Sequence, residues 1–191
     1  MTLLRERVAR FELDAHASLF TVQAFAAGMI AVVAHSPKFA IREFAGEIAF
    51  DPDNTNECAV SLMINTSSLE LTDDVRASDR REINRVMFDE ILEKHRYPKI
   101  SYQSSRVTTS KITENAYKVS VAGELTLHGA TQGVGLDSQI SVGEDSIRAQ
   151  GTFPLRQSDF GLKLAAVAGG TITVRDELKC AYFIIGRRKA A

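Results

Sequence analysis

Histidines and cysteines are the residues of this sequence best suited to metal binding or redox chemistry. The four histidines are His16, His35, His95 and His128. None has a second metal ligand one turn away on a predicted helix, so a histidine metal site would have to be assembled by the tertiary fold alone. Cys58 and Cys180 lack the spacing of a metal knuckle or a redox pair, which predicts two buried free thiols and leaves a disulfide between them open. We therefore assign no metal ligand and no cofactor.

Neighbouring serine and aspartate residues could support acid–base catalysis at two places, Asp137 with Ser138 and Ser158 with Asp159. Asp and Ser that adjoin in sequence more often cap or close turns, so these pairs do not identify a nucleophile. The glycine-rich run at 129–135 lies between two predicted strands rather than before a helix, which indicates a hairpin turn and not a phosphate loop. We therefore expect no catalytic residue and a protein that is not an enzyme.

Residues 117–142 alternate between two faces, which is the period-two pattern of a β-strand. One face consists of Tyr117, Val119, Val121, Gly123, Leu125 and Leu127, followed by Val134, Leu136, Ser138, Ile140 and Val142. A turn at 128–131 separates the two halves, so the stretch predicts a long antiparallel hairpin with one apolar face. The rest of the chain must cover that face.

Further period-two runs predict the remaining strands. They lie at 11–25, 38–50, 58–64, 100–105, 147–155, 172–174 and 178–186. Within 38–50 the apolar residues change faces between Ile41 and Phe44, which predicts a bulge or a turn between them. The turn formers at 51–56 end that strand.

One helix is predicted over residues 73–96. Its apolar positions recur at helical spacing and are Ile83, Val86, Met87 and Ile91. Asp79 followed by Glu82 has the spacing of a capping box with Asp79 as the cap. Together these elements predict an all-β fold, an antiparallel barrel of about eight strands with one long helix packed at its side. A barrel of that size can close around a single small ligand.

Composition and charge exclude several classes of protein. The 191 residues carry 23 basic and 24 acidic side chains, a net charge of −1 that gives no field for nucleic acid. The apolar run at 24–34 is shorter than the about 20 residues that cross a membrane, so it predicts a short buried helix or a plug at one end of the barrel, with no membrane insertion. Arg5 and Arg7 interrupt the place of a secretory signal, which predicts a cytoplasmic location.

Five short motifs in this order resemble those of the YceI-like family, lipocalin-like barrels associated with binding polyisoprenoids and other long apolar lipids. The motifs are LDAH at 13–16 with Ser18, HS at 35–36 with FAGEI at 44–48, YPKISYQS at 97–104, GELTLHG at 123–129 and FPLRQSDFG at 153–161. The resemblance covers about residues 11–186 and implies a barrel with an apolar channel for an isoprenoid or fatty chain, commonly in a homodimer. The chain departs from the family in lacking an export signal and in having Ala17 where a serine usually follows the histidine.

The resemblance and the strand pattern together predict one domain over 1–191, with a lead-in at 1–10, the barrel at 11–186 and a basic solvated tail at 187–191. The expected function is non-catalytic binding of a long apolar lipid for storage, transport or stress response. The predicted ligand-binding residues are the larger apolar residues on inward faces: Phe20, Val22, Phe44, Ile48, Leu62, Ile64, Tyr102, Leu125, Leu136 and Phe153. Tyr102 could offer its hydroxyl to a head group.

Two alternatives stay open at this point. In the first, apolar side chains fill the barrel, and the protein is a structural or stress-related interaction module that acts as a dimer. In the second, the histidines hold a metal in a small enzyme. Small residues on inward faces, such as Gly123, Ser138, Ala149 and Gly151, favour an open interior over a filled one.

Overall fold

The protein is built mainly of antiparallel strands joined by short turns. The computed structural model describes residues 8–27, 36–164, 166–167 and 172–189. The strands are β1 (Ala9–Leu13), β2 (Leu19–Gln23), β3 (Ala26–Ala27), β4 (Lys38–Ile41), β5 (Phe44–Phe50), β6 (Ala59–Asn65), β7 (Leu69–Leu71), β8 (Lys99–Lys111), β9 (Ala116–Leu127), β10 (Ala130–Val142), β11 (Ser146–Arg156), β12 (Ala166–Val167), β13 (Ile172–Val174) and β14 (Glu177–Arg188). Helix α1 (Ala77–Arg85) runs into a π-helical turn (Val86–Ile91).

Eight strands close into an antiparallel barrel. They pair in the order β1, β5, β6, β8, β9, β10, β11 and β14, and the pairing of β14 with β1 closes the ring. Residues 179–183 of β14 pair with the short strand β2, and the sheet continues from β2 through β4 to β7. The all-β antiparallel barrel of about eight strands with one helix is therefore confirmed.

Strand β14 changes partners along one of its edges. Residues 179–183 pair with β2, and residues 186–188 pair with β1. Between these pairings the Ser18 hydroxyl accepts a hydrogen bond from the Ile185 backbone N–H at 2.9 Å, and the Ile185 carbonyl accepts one from the Asp14 N–H at 2.8 Å. Ser18 also donates to the Asp14 carbonyl at 2.6 Å. The first family-like motif thus completes the sheet where regular pairing is interrupted.

Strands β9 and β10 form the predicted hairpin. The residues assigned to its apolar face point into the barrel, with Gly123 opposite Val134 and Val121 opposite Leu136. The turn consists of His128 and Gly129 alone, both with positive φ, of 52° and 77°. This is the geometry of a two-residue type I′ turn. The turn is shorter than the predicted 128–131, because Ala130 and Thr131 already pair across the hairpin.

The change of face predicted within 38–50 is confirmed. The structure ends β4 at Ile41 and begins β5 at Phe44, with Arg42 and Glu43 between them. The predicted turn at 51–56 is also present, since the Asp51 carboxylate accepts hydrogen bonds from the Asp53 and Asn54 N–H groups.

The helix is shorter than the predicted 73–96, and its predicted cap is wrong. The N-cap is Arg76, and Asp79 lies within the first turn. The residues before α1 are held outside the helix because the Asp73 carboxylate accepts a hydrogen bond from the Lys38 N–H at 2.7 Å, while the Arg80 guanidinium donates to the Leu71 and Asp73 carbonyls. Within the described ranges, no helix is long and apolar enough to cross a membrane.

A contact made by the residues that directly follow the helix in sequence fixes the helix to the barrel. Glu93 follows the π-helical turn, and its carboxylate lies 2.7 Å from Nε2 of His128 in the β9–β10 turn. The Tyr97 ring packs against the His128 ring with the centroids 4.4 Å apart. Two segments distant in sequence, one after the helix and one in a hairpin turn, are thereby held together at the same end of the barrel.

Strands β3, β12 and β13 form a separate small sheet. The prediction of a helix over 24–34 is wrong at Ala26 and Ala27, which pair with Val174 and Thr173 of β13. Residues 28–35 lie outside the described residues. The strand predicted at 172–174 thus belongs to this small sheet and not to the barrel.

The predicted basic tail begins inside the last strand. Arg187 and Arg188 belong to β14, and Arg187 forms an ion pair with Asp14 at 3.2 Å. Lys189 pairs with Glu47 at 2.5 Å. These side chains are exposed, so each pair contributes little to stability, but the segment is part of the sheet.

Replacing Ser18 by alanine should destabilise the protein by about 1–3 kcal/mol, because the Ile185 N–H loses its acceptor at the point where β14 changes partners. Urea denaturation measures the change in the free energy of unfolding. The matched control is Ser110→Ala, at an exposed position of β8, which should change that free energy by less than about 0.5 kcal/mol. Equal stability of the two variants would show that the Ser18 contact does not support closure.

Candidate ligand-binding cavity

The barrel encloses a cavity of about 740 Å³. This volume lies in the range of about 300–1,000 Å³ typical of small-molecule sites. The inward residues of the barrel strands supply its walls, and they are mainly Val, Leu, Ile, Phe and Ala. The described side chains therefore leave the interior open, which counts against the alternative of a barrel filled by its own side chains.

All of the predicted ligand-binding residues except Phe44 line this cavity. They are Phe20, Val22, Ile48, Leu62, Ile64, Tyr102, Leu125, Leu136 and Phe153. Phe44 is buried but does not reach the cavity wall; it is the first residue of β5, directly after the interruption at 42–43. Contact of these residues with a ligand stays a prediction.

The two ends of the cavity differ. At one end the Phe50 and Tyr117 rings pack edge to face with centroids 5.3 Å apart, and Phe11 is completely buried. At the other end lie α1 and the segment before it, which add Val75, Ile83 and three carboxylates to the lining. The carboxylates belong to Asp73, Asp79 and Glu82, and we call them the acidic rim.

The Tyr102 ring of β8 lies against Gly123 of β9. A Cβ atom at Gly123 would lie 2.6 Å from the Tyr102 hydroxyl oxygen, so only glycine leaves room for the ring. The Tyr102 hydroxyl donates to the Val134 carbonyl of β10 at 3.1 Å. The ring thus crosses its neighbouring strand to reach the strand beyond.

The Tyr182 ring of β14 repeats this arrangement from the other side. It lies against Gly151 of β11, where a Cβ atom would overlap the Tyr182 hydroxyl. The hydroxyl forms a hydrogen bond of 2.6 Å with the Ser138 hydroxyl of β10. The space expected above Gly123 and Gly151 is therefore occupied by tyrosine rings, which is a correction to the sequence prediction.

The tyrosine hydroxyls and the cysteine thiols in the cavity wall are held in their neutral forms. Burial, with a smaller contribution from nearby Tyr182, raises the pKa of Tyr102 to about 12. Burial also raises the pKa of Tyr182, partly opposed by its hydrogen bond with Ser138. The thiols of Cys58 and Cys180 are free, as predicted, and burial raises the pKa of both, that of Cys180 to about 12. The wall therefore offers hydroxyl and thiol groups that carry no charge near neutral pH.

The serine–aspartate neighbours singled out in the sequence do not form acid–base pairs. Ser138 faces the cavity, whereas the Asp137 carboxylate accepts a hydrogen bond from the Ser120 hydroxyl at 2.6 Å on the outer face. Ser158 donates to the Asp176 carboxylate at 2.6 Å and not to Asp159. In the part of the chain that the structure describes, no group of three His, Cys, Asp or Glu side chains is placed to hold a metal ion.

Sequence reasoning did not assign Tyr182 and Ser138 to the site as a hydrogen-bonded pair, and it missed the acidic rim. Both Tyr182 and Ser138 stood on predicted inward faces, but their contact depends on β10, β11 and β14 being neighbours. An inward glycine in each of two strands was the available signal, since a glycine in a strand often marks the close approach of another group.

A closed eight-stranded antiparallel barrel around an apolar cavity is the architecture of lipocalin-like proteins. The chain belongs to the YceI-like family, since the family model for the YceI-like domain matches residues 11–181. A UPF0312 protein of Vibrio parahaemolyticus is 24% identical over 125 residues, which cover 62% of this chain and 61% of that relative. The chain thus aligns with less than two thirds of the length of this curated relative.

Solved structures share the fold at low sequence identity. The crystal structure of Burkholderia cenocepacia BcnA matches with a TM-score of 0.69 and 18% identity, covering 91% of this chain and 98% of that one. A polyisoprenoid binding domain from Saccharophagus degradans, implicated in plant cell wall breakdown, matches with a TM-score of 0.67 and 14% identity, covering 96% and 99%. The Campylobacter jejuni YceI protein matches with a TM-score of 0.63 and 17% identity, covering 82% and 88%.

Because the pKa of Tyr102 is raised, the free energy of unfolding should depend on pH in the alkaline range. The folded protein binds the phenolic proton more tightly than the unfolded chain, whose tyrosines have a pKa of about 10. The free energy of unfolding should therefore be unaffected by this group below about pH 10 and should fall as the pH rises from about 10 to about 12.

Denaturation of the wild type and of Tyr102→Phe at several alkaline pH values measures this effect. The free energy of unfolding of the variant should fall less over this pH range, because the variant lacks the group that titrates. An ultraviolet titration in which every tyrosine of the folded wild type ionises by about pH 11 would contradict the raised pKa.

Proposed function

We propose that this protein binds one long apolar lipid, an isoprenoid or fatty chain, inside the barrel without chemical conversion. The observation that carries the proposal is the open cavity of about 740 Å³ with its mainly apolar wall. Membership of the YceI-like family and the fold shared with a polyisoprenoid binding domain support it.

Burial of apolar surface is the source of affinity in such a site. Each buried CH₂ group contributes about 0.8 kcal/mol, and the cost of immobilising a flexible chain is subtracted from the total. Affinity should therefore rise with chain length until the cavity is full. The neutral wall fits a chain that is apolar along most of its length.

The hydrogen-bond partner of Ser138 favours binding without catalysis. Ser138 is bonded to Tyr182, whose pKa is raised, so the pair has no base that would take a proton near neutral pH. The expected homodimer, the cytoplasmic location and a role in storage, transport or stress response remain predictions.

Extraction of the purified protein with organic solvent, followed by mass spectrometry, tests the proposal directly. A native mass spectrum of the intact protein gives the stoichiometry. We expect one isoprenoid or fatty species per chain. A protein that carries no lipid and takes up none on incubation would refute the proposal.

Replacing Leu62 by tryptophan should weaken lipid uptake, because the larger side chain fills part of the cavity that Leu62 lines. The neighbouring Met63 is 42% exposed on the outer face of the same strand, β6, so Met63→Trp is the matched control. Native mass spectrometry after incubation with a fatty alcohol measures uptake, and circular dichroism checks the fold. We expect a difference in affinity of about 5- to 150-fold between the two variants, since overpacking a site costs about 1–3 kcal/mol. Equal uptake by both folded variants would place the lipid elsewhere.

A further inference from the structure

The hydroxyl groups of Tyr182 and Ser138 are a polar feature within the mainly apolar cavity wall. They lie 2.6 Å apart, on β14 and β10, and the glycine at 151 in the intervening strand β11 gives the Tyr182 ring the room to reach Ser138. A glycine at this position weakens a strand, so the arrangement has a cost that a simple apolar wall would avoid. We call Tyr182 and Ser138 the hydroxyl pair.

The hydrogen-bonding capacity of the hydroxyl pair defines what it can bind. Two hydroxyl groups have two hydrogens, and the bond between them uses one, so the second can be donated to a ligand atom. The pair also keeps free lone pairs and can accept a hydrogen bond. A ligand oxygen that accepts one bond, with or without donating one, satisfies the pair. Tyr102 differs, because its hydrogen is already donated to the Val134 carbonyl.

The charges of the lining residues act in the same direction. The acidic rim consists of Asp73, Asp79 and Glu82, which line the cavity at the end where α1 lies. The Arg85 guanidinium pairs with the Glu82 carboxylate at 2.7 Å, and this contact holds the pKa of that carboxyl below its usual range and offsets its negative charge. Among the described residues that line the cavity, none is a lysine, arginine or histidine. A negatively charged head group would therefore find no cationic partner in the described wall, and burying it there without one would be costly.

We propose that the hydroxyl pair is the head-group subsite of the cavity and that it selects a lipid ending in one uncharged oxygen function, a hydroxyl or a carbonyl, over a carboxylate or a phosphate. This inference rests on the proposed function, because it concerns the end of the lipid whose chain the cavity holds. It extends the site to Tyr182 and Ser138 and states the charge of the ligand.

Three probes with the same isoprenoid skeleton test the proposal: farnesol, farnesyl phosphate and the hydrocarbon farnesene. Delipidated full-length protein is titrated with each, and native mass spectrometry measures the dissociation constants. Farnesol should bind about tenfold more tightly than farnesene, the effect expected of one hydrogen bond to a buried partner, and more tightly than farnesyl phosphate.

Failure of the two proposals can be told apart. If none of the probes binds, the proposed lipid-binding function fails. If farnesene binds as tightly as farnesol, or if farnesyl phosphate binds more tightly, lipid binding stands and the selection for a neutral head group is overturned.

The variant Tyr182→Phe removes one hydroxyl and keeps the ring. It should weaken farnesol binding only in part, because the Ser138 hydroxyl keeps its hydrogen, and it should leave farnesene binding unchanged. Tyr117→Phe is the matched control, because the Tyr117 hydroxyl donates to the Glu114 carbonyl and Tyr117 does not line the cavity. The double variant Tyr182→Phe/Ser138→Ala removes both hydroxyl groups and should reduce the affinity for farnesol to that for farnesene. An unchanged preference for farnesol in the folded double variant would overturn the subsite. If the double variant does not fold, farnesol binding unchanged in both single variants, Tyr182→Phe and Ser138→Ala, would overturn it.

Discussion

Closure of the barrel depends on the way β14 changes partners. One edge of β14 pairs with β11 along its length, whereas the other edge pairs first with β2 and then with β1. At the change, the Ser18 hydroxyl and the Asp14 N–H replace the missing backbone partners of Ile185. Because an unpaired buried backbone group is costly, this small contact permits a closed ring of eight strands with no open edge between β14 and β1.

The cavity results from closure of the barrel and from the residues that form its wall. Period-two alternation sends apolar side chains inward from every barrel strand, yet these side chains leave about 740 Å³ unfilled. Two tyrosine rings cross glycines and are directed toward β10, so the glycines provide room for polar groups rather than for empty space. The wall of the interior is therefore mostly apolar, and the two tyrosine hydroxyl groups are held beside β10 by their hydrogen bonds with Val134 and Ser138.

The end of the barrel beside the helix combines an apolar helix face with three acidic residues. Ile83 and Val86 line the cavity from the helix side, and the acidic rim lies beside them. The His128 and Glu93 contact holds the chain that follows the helix against the β9–β10 turn, so the position of the helix is tied to the barrel. The cavity wall at this end is thus apolar apart from these acidic residues.

The sequence predicts local features of this protein and contacts between distant segments to different extents. Alternation identified the β9–β10 hairpin, and nine of the ten predicted ligand-binding residues line the cavity, because which face a strand residue occupies is a local property of the chain. Phe44 does not line the cavity; it is the first residue of β5, directly after the interruption at 42–43. The helix was predicted too long because residues before it are held outside the helix by the Asp73 contact with Lys38, which is distant in sequence, and by the Arg80 contact with the Asp73 carbonyl.

By itself, then, the sequence determined the all-β class, the approximate number of barrel strands, the presence of the helix before β8 and the inward faces. Only the tertiary structure decided that the interior is open, that Tyr182 meets Ser138 across Gly151, and that three carboxylates stand at one end of the cavity. The physical reason is that local alternation sets the direction of each side chain, whereas the distances between side chains on different strands are set by strand order and register.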